Sequence, residues 1–214
     1  MMQKVAEVQD PELNKAKAVA DSKAGELLHL DEDVLRAQAK MLSDAIFKEM
    51  GDAVLAGVDP RVLVTGGAGS GKTTLAGHLA KALGVKNLNF DEYIPGGWTS
   101  DSEEYAKRFN KGLYEMWDDV PKKKGWVIEH VEACDPDLVG LYRSDFAVLV
   151  DPGEERLRAA AEARSAVMSK GTDGNKDRLA RALQSDKKAK AQFNAMKGKI
   201  IAKVPGLLLK VVEG

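Results

Sequence analysis

Eight consecutive residues, Gly66-Gly67-Ala68-Gly69-Ser70-Gly71-Lys72-Thr73, have the types and spacing of a device that holds polyphosphate. They fit the pattern G-x-x-x-x-G-K-[ST] throughout. Glycines let the backbone turn tightly and aim its N–H groups inward, making an anion nest where a helix begins. Lys72 has the reach to bridge β- and γ-phosphates. Thr73, followed by Thr74, sets a hydroxyl where Mg²⁺ would sit. ATP and Mg²⁺ are therefore the cofactors expected at residues 66–74. The loop does not fix where the phosphoryl group goes next, because the same cradle serves hydrolases, switches, motors and kinases.

Carboxylates must decide the acceptor. In an open parallel sheet the ligand lies beyond the carboxyl ends of the strands. Asp91 and Glu92 close one apolar segment, Glu129 stands in another ("WVIEHVEA") and Asp151 ends a third ("FAVLVD"). A hydroxyl is a weak nucleophile at its ordinary pKa, and a carboxylate within hydrogen-bond reach orients it and takes its proton. Asp91 suits that task. Its alternatives are capping the next loop or holding Mg²⁺ through water. Glu129 is costly to bury alone, so a Mg²⁺–water network, a substrate hydroxyl or an arginine must partner it. His130, one residue on, is expected on the opposite strand face, as a core or surface histidine. Glu132 is placed at the pocket mouth. Asp151 has the look of a Walker B acid, but it runs straight into a helix and reads as an N-cap or loop anchor, with Mg²⁺ contact as the alternative.

Transferring a phosphoryl group spreads negative charge, which calls for cations that close over it and exclude water. Of the basic residues after position 154, Arg164 is the candidate catalytic cation and Arg158 a substrate-binding one. The Lys187, Lys188 and Lys190 run reads as a solvated face. In "YIPGGWTSD", Tyr93 and Trp98 are candidate substrate contacts, Trp98 as a stacking platform.

These residues need elements to position them. "RVLVTG" reads as a strand, followed by the loop and a helix ending at Gly84. "VKNLNF" is a second strand. Residues 101–119 form a helix whose Tyr105, Phe109, Leu113 and Trp117 recur every fourth position, as core. "WVIEHV", "DFAVLVD" and "GLLLKVVE" are further strands. A helix at "PGEERLRAAAEARSAVM", the polar loop "SKGTDGNKD" and a basic helix to about Lys199 lie between the last two. Strands alternating with helices imply an α/β three-layer sandwich: a five-stranded parallel sheet with helices on both faces. Ahead of it, residues 1–60 read as an N-terminal helical extension. Asp31 or Asp33 caps a helix there, with Leu35, Leu42, Ile46 and Met50 on one face, a packing or partner surface. The domain division is thus 1–60 and 61–214, with a substrate-binding insertion at about 93–120 and a lid at about 154–185.

Composition bounds the rest. A net charge of −1 over 214 residues excludes a general nucleic-acid coat. Charge is uneven, however: residues 1–60 carry 7 Lys/Arg against 12 Asp/Glu, and 154–203 carry 13 against 6. One cysteine, Cys134, excludes an internal disulfide and a multi-cysteine zinc site. No signal peptide or membrane-length apolar run is present, so a cytoplasmic protein is expected.

The loop followed one βα unit later by "FDEYI" resembles the nucleoside and nucleotide kinase branch of P-loop proteins, which includes uridine kinases. The resemblance covers about residues 61–214. It implies an ATP-dependent phosphotransferase with an alcohol as acceptor and Asp91 as the base. "GGWTSD…WVIEH" and the overall plan also resemble bacteriophage kinases that phosphorylate 5-hydroxymethyluracil in DNA, where a flipped base would be the substrate. Expected partners are a nucleotide with a hydroxyl-bearing small molecule or modified DNA, no membrane, and a partner or second subunit for the N-terminal helix. A nucleotide-dependent binding protein without phosphotransfer is the third reading. The chain stops just after its last strand, leaving little of an adenine-side loop.

Overall fold

The computed structural model describes residues 32–94, 102–134, 143–155, 157–159, 162, 173–200 and 208–213. In chain order they form α1 (Glu32–Met50), α2 (Asp52–Leu55), β1 (Arg61–Gly66), α3 (Lys72–Leu83), β2 (Lys86–Asn89), a 3₁₀ turn (Phe90–Tyr93), α4 (Ser102–Asp119), β3 (Trp126–Glu129), β4 (Phe146–Asp151), α5 (Asp173–Ile200) and β5 (Leu208–Glu213). The sheet runs β2-β3-β1-β4-β5, and each pairing is parallel. Side chains are described for four of these strands; β5 follows β4 in backbone register from Phe146↔Leu208 to Asp151↔Glu213. From β1 the chain passes first to one flank (β2, β3) and then to the other (β4, β5). That reversal opens a crevice at the carboxyl end of β1.

Alternation along the strands splits the core into two layers. Leu63, Ile128, Ala147 and Leu149 face one side, with Leu88, Phe90, Met116, Val120, Ala189 and Phe193. Val62, Val64, Val127, Phe146, Val148 and Val150 face the other, with Leu75, Leu79 and Leu83 of α3 and Leu35, Ala39, Leu42 and Ile46 of α1. The apolar stripe of α1 is therefore spent inside the core against α3, the packing role of the two read for that face. What α1 leaves outside is scattered, chiefly Met41 and Val34. Asp33 falls within the helix and pairs with Arg36 at 3.1 Å instead of capping.

Local punctuation is as the residue types dictate. Gly84 sits in the left-handed region at φ 70°, and the N–H groups of Gly84 and Val85 return to Lys81 and Ala80 to close α3. Tyr105, Phe109, Leu113 and Trp117 all pack on the core. One boundary differs from expectation: α5 begins at Asp173, inside the stretch read as a polar loop. Its Gly174 and Asn175 cost a helix only about 1 kcal/mol each, and an acidic first residue suits the positive helix end. Among the described residues no helix is long and apolar enough to cross a membrane.

Candidate functional site

The loop between β1 and α3 is built by glycines at the points where any other residue would fail. Gly69 and Gly71 both lie at φ 86°. A Cβ on Gly66 would stand 2.7 Å from the Val150 carbonyl oxygen. Inside this ring the Ser70 N–H turns back to the Gly67 carbonyl at 3.1 Å, and the Ala68 N–H is held by Ser185 Oγ at 2.9 Å. Among the described residues no protein acceptor takes the N–H groups of Gly69, Gly71, Lys72 or Thr73. Converging free donors at a helix N-terminus are an anion site.

Parallel register then brings acids to this cradle. Glu129 pairs with Val64 of β1 on one side and Asn89 of β2 on the other. It is fully buried. Thr73 Oγ1 donates to its Oε1 at 2.9 Å, while Oε2 lies 3.9 Å from Lys72 Nζ and has no hydrogen-bond partner. Burial raises the Glu129 pKa; Lys72 and Thr73 pull it down, and Asp91 pushes it up again. The expectation that Glu129 needs a partner thus meets an answer supplied by the loop itself. The acid that shares Thr73 is Glu129 rather than Asp91. An all-oxygen Thr–Glu pair with one unsatisfied buried oxygen suits Mg²⁺, which takes few protein ligands and keeps waters and phosphate oxygens. Among the described residues no group of three or more His, Cys, Asp or Glu could hold a metal by itself.

Asp91 lies in the 3₁₀ turn after β2, its N–H bonded to Asn89 Oδ1 at 3.1 Å. Its carboxylate receives His130 Nε2 at 3.2 Å. That contact is compatible with the expected placing of His130 on the face opposite Glu129: Glu129 meets Thr73 of α3 in one layer, and His130 is buried against Phe90 and Phe109 of the other. Strand β3 stops at Glu129, the His130 N–H reaches the Val64 carbonyl at 3.1 Å, and the chain then turns, Ala133 N–H returning to His130 O at 3.2 Å. The Glu132 N–H donates to His130 Nδ1 at 3.0 Å, so Nδ1 is the acceptor and Nε2 carries the hydrogen that points at Asp91. Phe90 packs edge-on to the imidazole at 4.8 Å. The His130 hydrogen bond, against some desolvation and with help from Lys72, holds the Asp91 carboxyl below its usual range. Asp91 is ionised and more than half exposed, an acceptor open to solvent.

Other sequence candidates lie elsewhere. The Tyr93 hydroxyl donates to Asp119 at 2.8 Å, and its ring packs on the core; burial and Asp119 push its pKa to about 12. Tyr93 thus braces α4. Arg158 is bound to Glu154 at 2.7 Å on an exposed helix face. Asp151 accepts from the Gly153 N–H at 3.0 Å and from Lys190 at 2.7 Å, a loop anchor. Lys188 meets Glu132 at 2.5 Å, so two lysines read as a solvated face are tied to strand-end acids. Trp98 and Arg164 lie outside the described residues.

Strand order, loop and acids define a P-loop α/β domain of the nucleotide-kinase-like kind. Over 108 residues, 45% of this chain, it is 32% identical to the "Adenylate kinase isoenzyme 6 homolog" of Dictyostelium discoideum, and it spans 61% of that protein's length. No family model matches the chain. Neither finding lends support to the bacteriophage DNA-kinase resemblance.

Glu129 yields a prediction with opposite signs for stability and activity. Its folded-state pKa lies above its ordinary 4.5. Stability from this group is therefore fullest below that ordinary value and is lost as pH rises through the raised one. At neutral pH, Glu129→Gln is expected to raise the thermal midpoint by ~2–4 °C, on the order of 1 kcal/mol. Calorimetry at pH 7 and pH 4 checks this: the gain should vanish at the lower pH. Mg²⁺-dependent turnover should fall about 100-fold in the same variant.

Proposed function

We propose that this protein is an ATP- and Mg²⁺-dependent phosphotransferase that moves the γ-phosphoryl group to a hydroxyl of a nucleoside-like small molecule. The observation that carries the reading is the His130–Asp91 pair beside the Lys72, Thr73 and Glu129 group, near enough for Lys72 to lower the Asp91 pKa and for Asp91 to raise that of Glu129. Lys72 and the free loop N–H groups would hold the polyphosphate. Thr73 and Glu129 would hold Mg²⁺, which neutralises charge on the β- and γ-oxygens. Asp91 would accept the hydroxyl proton while the acceptor oxygen bonds to the γ-phosphorus and the β–γ bridging P–O bond breaks, leaving ADP. His130 keeps Asp91 ionised and aimed. An exposed carboxylate welcomes a neutral hydroxyl and repels a phosphate dianion, which favours the alcohol.

A nucleotide phosphate as acceptor is the second reading, favoured by the likeness to the adenylate kinase isoenzyme 6 homolog. The deciding experiment offers γ-labelled ATP to nucleosides, nucleoside monophosphates and hydroxymethylated DNA in parallel, with Lys72→Ala as control. Label on nucleosides supports the first reading, and label on monophosphates the second. Label on DNA alone would restore the nucleic-acid substrate. ATP binding with no transferred label would leave only a nucleotide holder.

A further inference from the structure

One contact at the phosphate loop is not made by the elements that build it. Ser185, 117 residues away on α5, accepts the Ala68 N–H at 2.9 Å and donates its own proton to the Ala182 carbonyl at 2.8 Å. With that proton committed, the hydroxyl presents a lone pair to the loop. Next to it the helix backbone itself touches the loop: a Cβ on Gly67 would lie 2.7 Å from Asp186 Cβ and 2.9 Å from Asp186 Cα. Gly67 does not have a positive φ, so its lack of a side chain serves this close approach and not the turn. Lys190 joins Asp186 at 2.9 Å to Asp151 at 2.7 Å beyond β4. Lys188 reaches Glu132 beyond β3. One stretch of α5, Ser185 to Lys190, thus fastens the loops that follow β1, β3 and β4.

Resting on the reading of residues 66–74 as a polyphosphate site, we infer that Ser185 is a positioning residue for that site, and that Gly67 is glycine so that α5 can bring Ser185 there. The loop holds glycines at 66, 67, 69 and 71, the residues that lose most freedom when ordered. Pinning Ala68 in their midst fixes the adjoining peptide planes before ligand arrives. Gly69 and its successors then present their N–H groups already converged, and less ordering is left for the binding step.

The test measures equilibrium binding of inorganic tripolyphosphate and of ATP, with steady-state kinetics on the full chain. Ser185→Ala is expected to weaken both ligands by about five- to tenfold, the scale of one hydrogen bond. It should raise KM for ATP with kcat within twofold, and leave the unliganded thermal midpoint unmoved. Ser185→Thr, which keeps the hydroxyl, should bind within twofold of wild type. Gly67→Ala should weaken binding to a similar degree, and the double variant should be no worse than the weaker single one, since both changes undo the same contact. Tripolyphosphate binding by Ser185→Ala equal to or tighter than wild type, or additive losses in the double variant, would overturn the inference. If wild type itself binds neither ligand, the phosphate-site reading fails first and takes this one with it.

Discussion

Lys72→Ala is expected to lower kcat/KM for phosphoryl transfer by about 1,000-fold, the upper part of the range for losing one preorganised stabilising group. The lysine is buried at the start of α3, where its charge is screened little by water and cannot be replaced by a neighbouring side chain. Its loss has a second, separable consequence. Lys72 is the largest influence lowering the Glu129 pKa against burial, so without it the ionised glutamate is penalised further. The variant should be less stable than wild type at neutral pH and recover as pH falls through the raised Glu129 value. Activity loss with no pH-dependent stability change would mean that the two groups do not share one field.

Asp91→Asn is expected to cut kcat on a hydroxyl acceptor by 100- to 10,000-fold, the usual span for a general base, with KM for ATP little changed. An amide still accepts the His130 hydrogen but takes no proton, so the comparison isolates basicity from orientation. The outcome also distinguishes acceptors. A phosphate acceptor brings an ionised oxygen and needs no base, so an effect below about tenfold would sink the alcohol reading. His130 supplies the companion measurement. The Asp91 pKa is lowered first by its hydrogen bond to His130, so stability from this group is present above its ordinary value of 3.8 and is lost as pH falls through the lower folded one. In His130→Ala the Asp91 titration, followed by carboxyl-carbon NMR, should move up toward that ordinary value. No movement would show that the imidazole does not set it.

The phosphate loop was wholly legible, because Gly69 and Gly71 must take backbone angles closed to other residues and those angles follow from residue type. So were the β-α alternation, the Gly84 cap and the stripes of α1 and α4, since each depends on neighbours within a few positions. Tyr93 and Arg158 were legible only as residue types; their partners, Asp119 and Glu154, decide that they brace structure. His130 was legible as a residue on the face opposite Glu129, and it is buried there against Phe90 and Phe109. Its contact with Asp91 was not, because strand register decides that the turn after β2 meets the end of β3.

By itself, then, the order of residues determined a glycine-rich turn of the P-loop pattern on an α/β frame, all of it short-range stereochemistry. Tertiary structure alone decided that Glu129 meets Thr73, that His130 aims at Asp91 and that α5 lies on the loop through Ser185. Those pairs are 56, 39 and 117 positions apart. Contacts at such separations are set by strand order and helix docking, which depend on how the whole core packs and not on any local pattern.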